Sequence, residues 1–195
     1  MIMTTRNQTQ EGLEAITATR PLLTPESVCY HLAELFKVRP TEVGLLQMQG
    51  AVLRFVFPRE LAHVGSIPLN SNAVAARIAR TQRAELFNDF VKVPHWSIFE
   101  SVRLHDAEKT APMVIQKLMS APIVARSGVV VGVLQISRKG ATRQEAGPDF
   151  GADDLQRLKL AAAQIAPIML LLTVPDQMPR QKLSFCNQAA EQKRV

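Results

Sequence analysis

The residues best equipped for chemistry share one short stretch. Val93-Pro94-His95-Trp96 is followed by Phe99, Arg103 and His105, and Trp96 is the only tryptophan of the chain. His95 and His105 could ligate a metal or a haem, with Glu100 and Asp106 nearby in sequence. No short ligand spacing accompanies them, so surface or hydrogen-bonding roles are favoured over ligation. Trp96 and Phe99 can wall a small-molecule pocket, with Arg103, His95, His105 and Asp89 as the polar groups that fix a ligand's orientation. They can equally plug a core beneath the segment, since aromatics dominate core burial. Asp89 follows Asn88 in a turn signal, which makes it a turn residue before it is a ligand contact.

Two further clusters invite a chemical reading. Ser137-Arg138-Lys139-Gly140 closes an apolar run, and basic residues beside a glycine could cradle a phosphate. The glycine pattern of a phosphate loop is missing, so the solvated end of a strand is the better reading. Arg77, Arg80 and Arg83 approach a basic row, but the net charge of +6 is spread along the chain rather than concentrated on one face. A solvated helix surface is therefore favoured over nucleic-acid binding. Cys29 and Cys186 are far apart, form neither a disulfide framework nor a metal spacing, and suit the cytoplasm. With no readable nucleophile–base pair or metal signature, no catalytic residue is assigned and a non-catalytic protein is expected.

These groups must be positioned by a chain of 195 residues, long enough to bury a core without staples. Its 47% hydrophobic and 21% charged residues are ordinary for a soluble globular protein. The first residues carry no apolar core segment and predict no signal peptide. The greasiest run, 160–174, is shorter than a bilayer span and holds Gln164 and Pro167, which predicts no membrane helix. A flexible leader over 1–23, a domain over 24–173 and a polar basic tail over 174–195 are expected, with no output domain after residue 174.

Within the domain, Thr24-Pro25 signals a helix start, with Val28, Leu32, Leu35 and Phe36 on one face and a stop before Pro40. His31, between core positions, is read as structural. "EVGLLQM" and "AVLRFVF" flank Gln49-Gly50 as a hairpin, and Arg54 suggests that one face of its second strand meets water. "SNAVAARIARTQ" predicts a short helix whose inner stripe is Val74, Ala75, Ile78 and Ala79. "AELF" predicts a short strand ending at Asn88-Asp89. "QKLMSAPIVA" and "VVVGVLQIS" form a hairpin about Ser127-Gly128. Pro122 marks an edge or bulge, and Gly132 a close backbone approach or kink. A long helix follows residue 151, with Asp153 and Asp154 at its positive end and Pro167 expected to kink it. Hairpins bracketed by helices give an α+β layout around a largely antiparallel sheet.

In this order the pieces resemble the GAF domain family, sensory modules related in fold to PAS domains. "SAPIVARSGVVVGVLQISRKG" is similar to the family's small-x-Pro strand, glycine turn and Gly-Val-Leu strand. "DFGADDLQRLKLAAAQIA" resembles its Phe-x-x-x-Asp-Leu helix start, and "IPLNSNAVAARIARTQRAELFNDF" its middle helix and short strand. The resemblance covers about 24–173 and implies a central antiparallel sheet. It places the N- and C-terminal helices on one face and a ligand-pocket lid segment on the other.

The same resemblance sets limits on the ligand. Cyclic-nucleotide-binding relatives tend to carry Asn-Lys at the strand exit and Phe-x-x-x-Asp-Glu at the helix start; here Ser137-Arg138-Lys139 and Asp154-Leu155 depart from both. Bilin-binding relatives use a middle-region cysteine, and relatives that reduce free methionine sulfoxide use several near the pocket; none lies between 30 and 185. The expected function is a cytoplasmic, non-catalytic sensory or regulatory domain that binds an unidentified small molecule in signal transduction, with no cofactor assigned. The alternative is a ligand-free dimerisation or docking module. Leu155, Leu158, Ala162, Ile165, Met169 and Leu172 repeat along the last helix while further apolar residues surround it. A homodimer through the terminal helices is therefore expected, with Leu158 and Leu170 as candidates for the outward stripe.

Overall fold

The structure, a computed structural model, describes residues 24–63, 65–93 and 114–169. The leader, the tail and the stretch 94–113 lie outside these residues. Helix α1 (Pro25–Phe36) begins as its sequence demands. Thr24 Oγ1 accepts from the Ser27 amide at 3.1 Å, and Ser27 Oγ accepts from the Thr24 amide at 3.1 Å. The two bonds satisfy orphan donors reciprocally, and Pro25 occupies a position where its missing N–H costs nothing. The helix ends at Phe36, short of Pro40, because Lys37 turns into the left-handed region with φ 52°. A 3₁₀ turn (Pro40–Glu42) leads into β1 (Val43–Gln49) and β2 (Val52–Phe57), paired as a hairpin.

After a one-turn helix α2 (Arg59–Ala62) come β3 (Ser66–Pro68), α3 (Val74–Thr81) and β4 (Glu85–Phe87). A 3₁₀ turn (Phe90–Lys92) follows β4. The chain is described again from β5 (Val114–Val124), then β6 (Val130–Gly140) and α4 (Ala152–Met169). The six strands form one sheet in the order β3-β2-β1-β6-β5-β4, and every neighbouring pair is antiparallel. This is the α+β architecture that the hairpin signals predict. Pro122 lies beyond Ser120, the last β5 residue paired with β4, so its missing N–H falls where the sheet edge is open.

Each face of the sheet carries its own core. On one face α1 and α4 cover Val43, Leu45, Val56, Phe57, Met119, Ala121, Ile123, Leu134 and Ile136. On the other, the predicted stripe of α3, Val74, Ala75, Ile78 and Ala79, packs over Leu46, Leu53, Phe55, Leu118 and Val133. β5 and β6 are therefore apolar on both sides, as strands covered twice must be. Their glycine is set by contact: a Cβ on Gly132 would overlap the Leu46 carbonyl oxygen of β1 and come 2.9 Å from Met169 Cε. Only a residue without a side chain lets β1 and the end of α4 approach there.

Several expectations are corrected. His31 is exposed and not part of the α1 core. Arg54 is half-buried, so its side of β2 is only partly open to water. α4 continues through Pro167 to Met169. Leu158 is fully buried, so it cannot belong to an outward stripe, and Leu170 lies outside the described residues. Leu158, Ala161, Ala162, Ile165, Ala166 and Met169 form one broad inward face. Outward lie Gln156, Arg157, Lys159, Ala163 and Gln164, with Leu160 the large exposed apolar residue of this helix among those described.

Basic residues at the exit of β6 are engaged in holding the fold. The buried Glu42 carboxylate accepts from Arg39 Nη2 at 2.8 Å, the Arg39 amide at 2.8 Å and the Lys139 amide at 2.6 Å. Lys139 Nζ donates to Thr41 O at 3.0 Å, and Ser137 Oγ to Glu42 O at 3.0 Å. Arg138 lies over the Phe150 ring, 4.7 Å from its centroid. Ser137-Arg138-Lys139 is thus a clamp between β6, the entry to β1 and the approach to α4, and not a phosphate cradle.

A second clamp ties down the loop before α4. Lys117, 2% exposed, pairs with Asp149 Oδ1 at 2.8 Å and donates to Gly147 O. Asp149 also receives Arg143 at 2.5 Å. Lys117 first, then Arg143, holds its carboxyl below the usual carboxylate range.

Leu158→Glu is expected to unfold the protein. It gives up about 1.5–3 kcal/mol of side-chain burial and also places a charge in the core. Leu160→Glu, on the outside of the same helix, should leave the circular-dichroism melt within a few degrees of wild type. Equal melts for the two would contradict the assigned helix face.

The Asp149 pairing also sets a pH dependence. A carboxyl with a depressed folded pKa stabilises the protein above its unfolded value, and that stability is lost as pH falls through the folded one. Asp149→Asn should melt lower than wild type at pH 7, and the gap should close as the pH is lowered toward 3. A gap that stays constant across that range would show that the pair contributes nothing.

Candidate functional site

Strand alternation decides which side chains face α3. Leu118 and Val133 belong to that face's core, and with a period of two so do Ser120, Gln135 and Ser137. Register then assembles a row. Glu85 of β4 lies opposite Ser120 of β5, Ser120 opposite Gln135 of β6, and Gln135 opposite Gly44 of β1. Ser120 is 0% and Gln135 8% exposed. The Gln135 amide donates to Ser120 Oγ at 3.3 Å. Polar side chains at these positions sit in an otherwise apolar surface, where unbonded burial costs free energy.

Arg77 of α3 closes the row from above. Its Nη2 donates to Glu85 Oε2 at 2.6 Å, and its guanidinium stands 5.4 Å from the centroid of the Phe87 ring. Its Nε is buried without a hydrogen-bond partner. The arrangement offers a cation already matched by a carboxylate, a hydroxyl and an amide, all set on regular elements that fix their positions. It can orient a small molecule by hydrogen bonds. Among the described residues no group of three or more His, Cys, Asp or Glu is placed to hold a metal ion.

The predicted site residues fall around this row only in part. Trp96, Phe99, Arg103, His95 and His105 lie outside the described residues. Asp89 is described: its carboxylate pairs with Lys92 at 2.6 Å in the surface turn that starts the segment. That turn brings Phe90 down into the core shared with α3, and Val93 packs against the same cluster. The chain thus enters the 94–113 stretch from the face that carries the polar row. The neighbouring Asn88 acts elsewhere, donating to Phe150 O at 3.0 Å and accepting from the Phe150 amide at 2.9 Å.

Arg77, Glu85, Ser120 and Gln135 were not singled out by sequence reasoning as a site. The row Arg77, Arg80 and Arg83 was read as a solvated surface, yet its members do different things. Arg77 joins the site, Arg80 donates to the Leu69 and Ser71 carbonyls, and Arg83 is exposed. A usable signal existed in Ser120 and Gln135, polar residues at core-facing positions of strands apolar on both sides. Cys29 is remote from all of this. It is fully buried on the α1 side, where burial first, and then Glu26, pushes its thiol pKa far up and keeps it protonated.

Comparison with known proteins follows the fold. No curated protein matches the chain. Among solved structures, the GAF domain from an Acinetobacter phosphoenolpyruvate-protein phosphotransferase superposes with a TM-score of 0.55 at 14% identity, covering 86% of this chain and 96% of that one. The type II free methionine-R-sulfoxide reductase from Thermoplasma acidophilum gives 0.52 at 18% identity, covering 76% and 92%. The GAF domain of a two-component sensor histidine kinase from Bacillus halodurans gives 0.52 at 14%, covering 76% and 95%. At such identities the likeness establishes the fold and no shared activity. The model of the GAF domain family matches residues 14–168, most of the chain, and the chain therefore belongs to the GAF domain family.

Proposed function

We propose that this chain is a non-catalytic sensory or regulatory module that binds a small molecule between the sheet and the 94–113 stretch. The observation that carries this reading is the buried row Glu85–Ser120–Gln135 beneath Arg77, a polar strip in a surface whose other residues form a core. A few convergent polar groups in an apolar surround are what a ligand site requires. Trp96 and Phe99 would wall the site, and Arg103, His95 and His105 would add polar contacts from above. The non-catalytic part of the reading draws support from Cys29: its thiol is buried, protonated and on the opposite face.

The terminal helices support a second element of the proposal, a homodimer. α1 and α4 lie on the same side of the sheet. Tyr30 and Leu35 of α1 and Leu160 of α4 are large apolar side chains exposed there. Burial of such residues between copies would stabilise association at about 25 cal/mol per Å² before its entropic cost is subtracted. A cytoplasmic location remains part of the proposal, and no described helix is long and apolar enough to cross a membrane.

Protein purified from its source should carry a small molecule, seen as extra mass under native mass spectrometry and lost on denaturation. Trp96→Ala with Arg103→Ala should lower affinity for that molecule at least tenfold, about 1.4 kcal/mol. Identical native and denatured masses would favour the ligand-free docking module instead, and unchanged affinity in the double variant would move the site away from the 94–113 stretch. For the dimer, Leu160→Glu should give a folded monomer by light scattering. A wild type already monomeric at high micromolar concentration would end the dimer proposal.

A further inference from the structure

Two cores lie on opposite faces of the sheet, and one side chain joins them around its edge. β4 pairs with β5 only over Glu85–Phe87, and the ladder stops where Phe87 meets Leu118. Asn88 is the next residue. Its side chain takes the backbone of Phe150 at both polar groups. Oδ1 accepts from the Phe150 amide at 2.9 Å, and Nδ2 donates to the Phe150 carbonyl at 3.0 Å. The pair fixes the orientation of the side-chain amide, because only one flip gives each group a partner.

Each end of this link is anchored in a different core. On the α3 side, Phe90 is buried two residues beyond Asn88, and its ring meets Phe87 edge-on at 5.9 Å between centroids. Arg77 of α3 stands over the Phe87 ring. On the other side, Phe150 is buried in the core of α1 and α4. The next residue, Gly151, accepts from the Leu155 amide at 3.1 Å in the first turn of α4. Arg138 lies over the Phe150 ring and reaches the Phe36 carbonyl, at the end of α1, at 3.4 Å. Contacts thus run from α3 to both terminal helices around the edge of the sheet.

A second link joins the same two segments and is weaker. Arg143, in the loop before α4, is held charged by Asp149 first and also feels the charge of Asp89. Arg143 is exposed, so solvent screens that attraction. The two Asn88 bonds are part-buried and are made to backbone, which cannot rotate away.

We propose that Asn88 is a positioning residue that couples the core beneath α3 to the start of α4, so that a shift of Phe90 and its turn displaces Phe150 and the first turn of the last helix. The competing route runs through the sheet, since β5 and β6 contribute side chains to both cores. Only the first route needs the Asn88 side chain. The coupling is a property of the fold and does not depend on a bound ligand.

A double-mutant cycle of Phe90→Leu and Phe150→Leu in the full chain, read by urea unfolding, separates the routes. Substitutions at independent sites change the unfolding constant separately, to within about twofold. The two substitutions should depart from independence by about threefold or more, and the same cycle in an Asn88→Ala background should fall within about twofold. In ¹H–¹⁵N spectra Phe90→Leu should shift the amides of 151–156, and should not do so in Asn88→Ala. A merely stabilising Asn88 would lower the melt and leave both results the same in the two backgrounds. Val93→Ala, against the same cluster, replaces Phe90→Leu if that variant does not fold, and Asn88→Asp, which loses the donor to the Phe150 carbonyl, replaces Asn88→Ala. Independence with Asn88 present, or an effect of equal size with and without it in either measurement, would overturn the proposal.

Discussion

A polar group in a sheet covered on both faces must find a partner or cost free energy, and that requirement organises this protein. β5 and β6 lie between α1 and α4 on one side and α3 on the other, so water does not satisfy what they carry. Each polar side chain buried there has a defined engagement. Ser137 donates to the Glu42 carbonyl. Lys117 meets Asp149 and the Gly147 carbonyl. Ser120 and Gln135 engage each other. The first two sets tie the sheet to its neighbouring loops. Among the described residues the last engage only within their own row.

The clamps and the row divide the labour. Glu42, Arg39 and Lys139 join the entry of β1 to the exit of β6, and Lys117 with Asp149 seats the loop that leads into α4. Asn88 links the end of β4 to the Phe150 backbone, just before that helix. The end of β4 is thus bonded to the approach to the helix on the far side. These contacts tie the strands, the loops and the last helix into one frame. Gly132 belongs to the same frame, since the approach of β1 and Met169 requires the absence of its side chain.

Much of this was legible in the sequence because it rests on local rules. Thr24-Pro25 starts α1, Gly50 and Gly128 turn the hairpins, and the Val74–Ala79 stripe faces inward as its spacing predicts. The order of these elements, with the motifs about Pro122, Gly132 and Phe150, pointed to the family. What escaped was long-range. Glu85, Ser120 and Gln135 come from three strands, and only register makes them a row. Arg77 looked like one of three equivalent surface arginines, because helical spacing does not reveal a carboxylate on a neighbouring strand. Leu158 and Leu170 both looked able to face outward on a helix rich in apolar residues. The sheet beneath buries Leu158, and the large apolar side chain of this helix left exposed among the described residues is Leu160.

On the proposed reading, the α3 face of the sheet contacts a ligand and is not merely a filled core. A crystal structure of the protein purified from its source tests it most directly. A non-protein molecule is expected in contact with Ser120 and Gln135, with Trp96 and Phe99 facing it from the opposite side. The Trp96 and Phe99 side chains packed directly onto Ser120 and Gln135, with no molecule between, would contradict it and make the row the base of an ordinary core.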